Sequence, residues 1–393
     1  MKKIIITIVL PFLCCFLHCE EKPMKEYFSI AEANNKFTFD FYSQLNHKQN
    51  LFFSPVSIIS AFGMAYEGAD GKTAKEIKSV FCFPDEETRH NSFQVLSTLL
   101  NKKDENCNLS IANAFWLQKN FQLLDSYITT LTHYYNGESY NLDFITQPEQ
   151  AVKKINQWAE KKTNDKIKNL LNISDINQMT RIILTNAVYF KGIWQFQFDK
   201  KATVEDDFKV NKNKTIKVKM MQLLNKEFPY TEDENFQVIK IPYACKNLSM
   251  IIVLPKENEV EKNQLDFRYF TRLQKNLNLQ KVDIFVPKFK IESTYDLIPP
   301  LKNLGITTAF TPLADFSKIT GNKDLFISKA IQKTYVDVNE EGTEAAAVTG
   351  IVMNVTAVRP ETKKIFRADH PFLFFIIEEN SSIILFAGKV TEP

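Results

Sequence analysis

Apolar and polar positions change their rhythm about halfway along this 393-residue chain. The first half has mainly the helical period, which predicts helices over Lys25 to Leu45, Pro55 to Tyr66, Lys72 to Val80, Glu86 to Lys102, Asp125 to Tyr135 and Pro148 to Lys162. Ser54 is the expected N-cap of the second, with Pro55 at its first helical position. Two interspersed segments, Leu109 to Gln118 and Arg181 to Trp194, are apolar at successive positions and read as strands buried on both faces. From Thr215 onward strands dominate, among them Gln237 to Pro242, Ser249 to Leu254, Lys281 to Ile291, Phe372 to Ile377 and Ile383 to Phe386. Helices followed by strands, without regular alternation, predict an α+β fold.

One segment fits neither rhythm. "NEEGTEAAAVTGIVMNVTAVR", Asn339 to Arg359, has small and β-branched residues, no proline and only two glycines. It lacks the residues of a turn-rich loop and reads as a strand with nothing obvious to pair with.

The chain opens with Lys2 and Lys3 ahead of an apolar stretch from Ile4 to Leu17, the layout of a secretory signal peptide, so residues 1–19 are set aside and cleavage after Cys19 is expected. No later run is long enough to span a membrane. The remaining residues carry 47 basic and 46 acidic side chains, a formal charge of +1, which implies no strongly charged partner and no nucleic acid. No Gly, Ser or Pro linker and no fixed repeat divides them, so a single domain over 20–393 is expected. Cys82, Cys107 and Cys245 are too few and too scattered to read as a disulfide framework, which leaves the core to hold itself. Sequons at Asn108, Asn172, Asn213, Asn247, Asn354 and Asn380 suit a secreted glycoprotein.

The usual catalytic arrangements are missing. His47, His90, His133 and His370 lie in no HExxH, GxSxG or CxxC setting, and no metal site or cofactor is implied. His370 in "ADHPF" is read as a structural hydrogen-bonder. "GADGKT" lacks the first glycine of a phosphate loop and reads as a helix end and turn. The lysines of Lys209 to Met220 and Lys153 to Lys168 read as solvated faces, with glycosaminoglycan contact the weaker alternative.

Several segments, in order, resemble one family, the serpins, over essentially the whole mature length. They are "FFSPVSIISAFGMAYEGADGKTAKEI", "NAVYFKGIW", "VPKFKIES", "LADFSKI", "ISKAIQKTYVDVNEEGTEAAA", "DHPFLFFI" and "ILFAGKV". The resemblance implies mixed β-sheets surrounded by helices, with an exposed reactive-centre loop at about 340–360. It also implies inhibition of serine proteases: the loop is cut, and enters the main sheet as a new strand while the enzyme is still acylated to it. A strand that enters a sheet needs small or apolar alternate residues and no proline. Thr343, Ala345, Ala347, Thr349, Ile351, Met353 and Val355 share one face, and Glu344, Ala346, Val348, Gly350, Val352 and Asn354 the other. Glu340 to Thr349 form the hinge, in which Gly342 supplies backbone freedom.

The family's usual spacing from Glu340 puts the cut between Thr356 and Ala357, which suits an elastase-like enzyme. Arg359 offers a trypsin-like alternative, Met353 a chymotrypsin-like one, and papain-type cysteine proteases remain open as targets. Ser54, Ser57, Asn186, Trp194 and Gln332 fall where the family opens its sheet. Two departures stand out: Gln332 replaces a frequent histidine, and Pro299 with Pro300 is expected to interrupt a short helix. The chain is expected to act as a monomer. The contrasting expectation is a non-inhibitory carrier, chaperone or storage protein of the same fold, whose hinge would carry proline, charge or bulk on the inward face; this hinge does not.

Overall fold

The computed structural model describes residues 18–100, 104–245, 247–256, 265–343 and 363–393. Nine α-helices are present among them: α1 His18–Tyr42, α2 Pro55–Gly68, α3 Gly71–Phe81, α4 Glu86–Leu100, α5 Asp125–Thr130, α6 Pro148–Lys162, α7 Phe267–Lys275, α8 Ile298–Leu304 and α9 Ser317–Thr320. The strands are β1 Leu51–Phe53, β2 Cys107–Gln118, β3 Glu138–Leu142, β4 Ile182–Ile193, β5 Val204–Asn211, β6 Lys214–Glu232, β7 Phe236–Pro242, β8 Leu248–Pro255, β9 Asn278–Pro287, β10 Phe289–Asp296, β11 Ile327–Val338, β12 Gly342–Thr343, β13 Lys364–Arg367, β14 Phe372–Glu378 and β15 Ile383–Val390. The α+β expectation agrees with this arrangement.

Two sheets organise the molecule. One follows the order β10-β11-β12-β4-β2-β3; the other runs β1-β15-β14-β8-β7-β6-β9-β13, with β5 beside β6. The first sheet is covered on both faces. One face meets the main core, where Phe115, Leu117, Leu184, Val188 and Phe190 pack with Phe52, Phe53, Phe62 and the second sheet. The other meets α6, where Trp116, Ile183, Ala187 and Ile331 pack with Ile155, Trp158 and Ala159. That double burial explains the continuous apolar run of β4. In β2 it holds for the second half only, since Asn108 is exposed and Leu109 to Ile111 are half-buried.

Ser54 caps α2 as expected: its Oγ accepts from Ser57 N, and Pro55 occupies the first turn. Four expectations need correction. The first helix begins at His18, inside the stretch set aside as a leader, and ends at Tyr42. The helix expected to run to Tyr135 changes after Thr130 into a π-helical turn, Leu131–Tyr135. The single strand Lys281 to Ile291 is two strands in different sheets, β9 and β10, joined at Lys288. The inward parity changes there from Val282, Ile284 and Val286 to Phe289, Ile291 and Ser293. Pro299 and Pro300 begin α8 rather than interrupt it, because the amides they lack would have no acceptor within the first turn.

The cysteines also depart from expectation. Cys107 and Cys245, 138 residues apart, form a disulfide with Cα atoms 5.7 Å apart. Sequence separation hid their approach, which is produced by the pairing of Cys107 with Gly192 and by a bridge between Trp194 and Tyr243. Cys82 remains free and exposed.

Candidate functional site

The site lies between β4 and β11. These strands run parallel and pair directly from Ile182 with Ile327 to Tyr189 with Tyr335. Above that closed stretch they part. The chain turns at Asn339 to Gly342, fastened by Asn339 N to Gly342 O at 2.8 Å and Gly342 N to Asn339 O at 3.2 Å. It then re-enters as β12, with Thr343 opposite Val338 on one side and Gly192 on the other. The hinge thus already contributes Gly342 and Thr343 to the sheet.

Gly342 is required by space as well as by its φ of 156°: a Cβ there would lie 2.0 Å from Gly192 O. Thr343, the first residue of the predicted inward face, is fully buried. Its Oγ1 lies 2.9 Å from the hydroxyl of Tyr243, whose titration burial pushes far upward, so that it stays a neutral hydroxyl. Tyr243 stacks on Trp194, with centroids 4.6 Å apart.

The base of the hinge is held by charge. Glu340 accepts from Lys288 Nζ at 2.9 Å and from Thr203 Oγ1 at 2.9 Å, and its backbone oxygen accepts from Phe198 N. Burial pushes the Glu340 carboxyl up, but these donors outweigh it and hold it below the usual range. Glu341 pairs with Lys200, its oxygen accepts from Trp194 N, and Trp194 Nε1 donates to Asn339 O at 3.0 Å.

Below the point where β12 enters between β4 and β11, the mouth of the lane, four of the five residues predicted at the sheet opening meet in a buried polar network. Gln332 Oε1 accepts from Ser54 N at 3.0 Å, while its Nε2 donates to Ser54 O at 3.0 Å and to Asn186 Oδ1 at 2.6 Å. Asn186 Nδ2 donates in turn to Ser57 Oγ and Asn113 Oδ1. The amide of Gln332 thereby joins β11, β4 and the cap of α2 without needing an imidazole. Trp194, the fifth residue, stands apart at the mouth.

Glu344 to Arg359 lie outside the described residues. This covers the hinge positions Glu344, Ala345, Ala346, Ala347, Val348 and Thr349, the Thr356–Ala357 bond, Met353, Arg359 and the Asn354 sequon. Asn108, Asn172, Asn213, Asn247 and Asn380 are all exposed. His370 makes the structural contacts expected of it, to Pro255 O and Asp369. Lys214, Lys217 and Lys219 pair with Glu392, Asp207 and Glu205 on exposed surface.

With this geometry in place, comparison with known proteins identifies the family. The model of the serpin family, described as serine protease inhibitors, matches residues 32–393. The chain belongs to the serpins. This serpin is 39% identical over 379 residues to a leukocyte elastase inhibitor from Bos taurus, covering 93% of this chain and 99% of that protein. It is 40% identical over 377 residues to an uncharacterised serpin-like protein of Methanosarcina acetivorans, covering 93% and 88%. The crystal structure of Serpin48, a highly specific serpin of the insect Tenebrio molitor, matches with TM-score 0.83 and 34% identity, over 96% of this chain and 100% of that one. Serine protease inhibition is thus the general activity of its family.

Reading the residues in line missed Asn113, Tyr243, Lys288 and Thr203. Asn113 carried a signal, a lone amide in the apolar run "SIANAF". The others are ordinary strand and turn residues, whose role arises only from what the fold sets opposite them.

Proposed function

We propose that this serpin is a secreted suicide inhibitor of serine proteases, cut between Thr356 and Ala357 and preferring enzymes with a shallow, apolar, elastase-like pocket. One observation carries the reading: Thr343 is already seated, buried and hydrogen-bonded, between β4 and β11. Insertion would then replace eight directly paired positions of one parallel ladder by two antiparallel ladders flanking the new strand. The net gain is about one ladder, roughly 10 kcal/mol at ~1 kcal/mol per bond. That gain is available only to a cut loop. The protease's acyl bond holds the enzyme to the moving strand, and distortion of the enzyme halts its deacylation.

Small residues flank the chosen bond at Val355, Thr356, Ala357 and Val358. The leukocyte elastase inhibitor among the relatives supports the same enzyme class. For secretion, the support is the basic and apolar leader together with the Cys107–Cys245 disulfide, a bond that persists in oxidising compartments.

Mixing the purified chain with elastase, chymotrypsin and trypsin should yield an SDS-resistant complex with elastase. N-terminal sequencing of the released C-terminal fragment should begin at Ala357. Cleavage without a complex for every enzyme would favour the non-inhibitory class, and a fragment starting at Asn354 or Pro360 would move the bond to Met353 or Arg359.

A further inference from the structure

Cys107 opens β2, whereas Cys245 lies in the turn from β7 to β8, so their disulfide joins the two sheets. It does so at the level where the hinge enters, since Cys107 and Thr343 are both opposite Gly192, one on each side of β4. Two residues before Cys245 stands Tyr243. Its ring is stacked on Trp194 and lies edge-on to Phe190, with centroids 5.1 Å apart. A Cβ on Gly192 would come within 2.8 Å of that ring. Noncovalently, the segment is tied to the end of β4 by Ala244 N to Ile193 O at 2.7 Å and Gln195 N to Pro242 O at 3.0 Å. The hydroxyl that meets Thr343 is therefore carried on a short turn, and a single covalent bond secures the turn's far end.

We propose that Tyr243 is the positioning residue that seats the hinge, and that the Cys107–Cys245 disulfide is a redox-sensitive clamp holding it there; this rests on the inhibitor reading above. With the clamp closed, Thr343 is paired at the mouth of the lane, and insertion starts from an ordered residue fast enough to outrun hydrolysis of the acyl-enzyme. A dithiol reductant opens it: the S–S bond takes two electrons and two protons to give the Cys107 and Cys245 thiols, and the dithiol closes to its own disulfide. Both cysteines are nearly buried, yet each lines a surface cleft. Cys107 borders one of about 610 Å³ with Glu105, Asn106 and Lys191, and Cys245 one of about 340 Å³ with Gln195 and Asn247. Once the clamp is open the turn relaxes, the Tyr243 hydroxyl leaves Thr343, and more of the inhibitor is cleaved without trapping its enzyme.

The test measures stoichiometry of inhibition and association rate against elastase, before and after dithiothreitol, for the full chain and for Tyr243→Phe. A thiol titration rising by two and an unchanged circular-dichroism spectrum certify a reduced, folded protein. Loss of about one hydrogen bond from the insertion step predicts a roughly fivefold shift from trapping toward turnover. The association rate should not change. Tyr243→Phe, with the disulfide intact, should reproduce the shift and respond little to reductant; this variant tests the seat even if the reduced chain unfolds. Unchanged stoichiometry in Tyr243→Phe overturns the seat. Unchanged stoichiometry after reduction, or effects of reductant and Tyr243→Phe that simply multiply, overturns the clamp. If the oxidised, unmodified chain traps no protease at all, it is the inhibitor reading that fails, a separate outcome.

Discussion

Thr343 and Gln332 show what single side chains contribute. Thr343 is fully buried with its hydroxyl matched to that of Tyr243. Thr343→Arg would place a charge in that dry seat at a cost of several kcal/mol. The variant should be cut as a substrate and leave no SDS-resistant complex; full stoichiometric inhibition would refute the inward register. Gln332 makes three hydrogen bonds to Ser54 and Asn186. Gln332→Ala strands buried backbone and amide groups and should lower stability of the uncleaved chain by about 3 kcal/mol in urea unfolding. The inward face of Thr343 was legible, because alternation in a strand is a local property. The partner Tyr243 was not, because it lies 100 residues away and is chosen by the fold.

Between elements, the contact of α2 with α4 is fixed by a buried ion pair. Arg89 meets Glu67 through Nε at 2.8 Å and through Nη2 at 3.2 Å, and Tyr135 adds its hydroxyl at 2.6 Å. Burial raises the Glu67 carboxyl, but the His90 ring 3.2 Å away and the hydrogen bonds from Arg89 and Tyr135 outweigh it and bring it down from 4.5 to about 2. The folded carboxylate binds a proton less readily than the unfolded one. Its contribution, roughly 3 kcal/mol, is therefore complete above about pH 4.5 and is lost as pH falls toward 2. Glu67→Gln should flatten the acid limb of stability over that window, while an acid limb equal to that of the unmodified chain would show that other carboxylates set it. At this scale periodicity located most helices and buried strands. It failed at Lys288 by treating one apolar run as one strand, although the shift of parity between Val286 and Phe289 was visible in the sequence. At Pro299 the failure lay in treating proline as a breaker when it stood in a first turn.

At the scale of the whole molecule, the proposed insertion implies that cutting the loop should stabilise the protein. Ten kcal/mol spread over the unfolding entropy of a chain this size corresponds to a rise of about 10 °C in thermal midpoint. Calorimetry before and after limited cleavage within 344–362 tests this; a midpoint that stays or falls would mean that the cut strand remains outside. The family was legible from ordered motifs spanning the chain. The Cys107–Cys245 bond was not, since it depends on where two sheets meet rather than on any spacing along the chain.

Lys288 joins the end of β9 to the start of β10, and its ammonium meets Glu340 at the foot of the hinge. One extra residue inserted between Pro287 and Lys288 would turn Phe289, Ile291 and Ser293 toward solvent and carry the ammonium away from its carboxylate. An exposed surface loop that joins no paired strands accepts a change of length. The joint at Lys288 does not: the length of the chain at this point keeps both sheets and the loop in step.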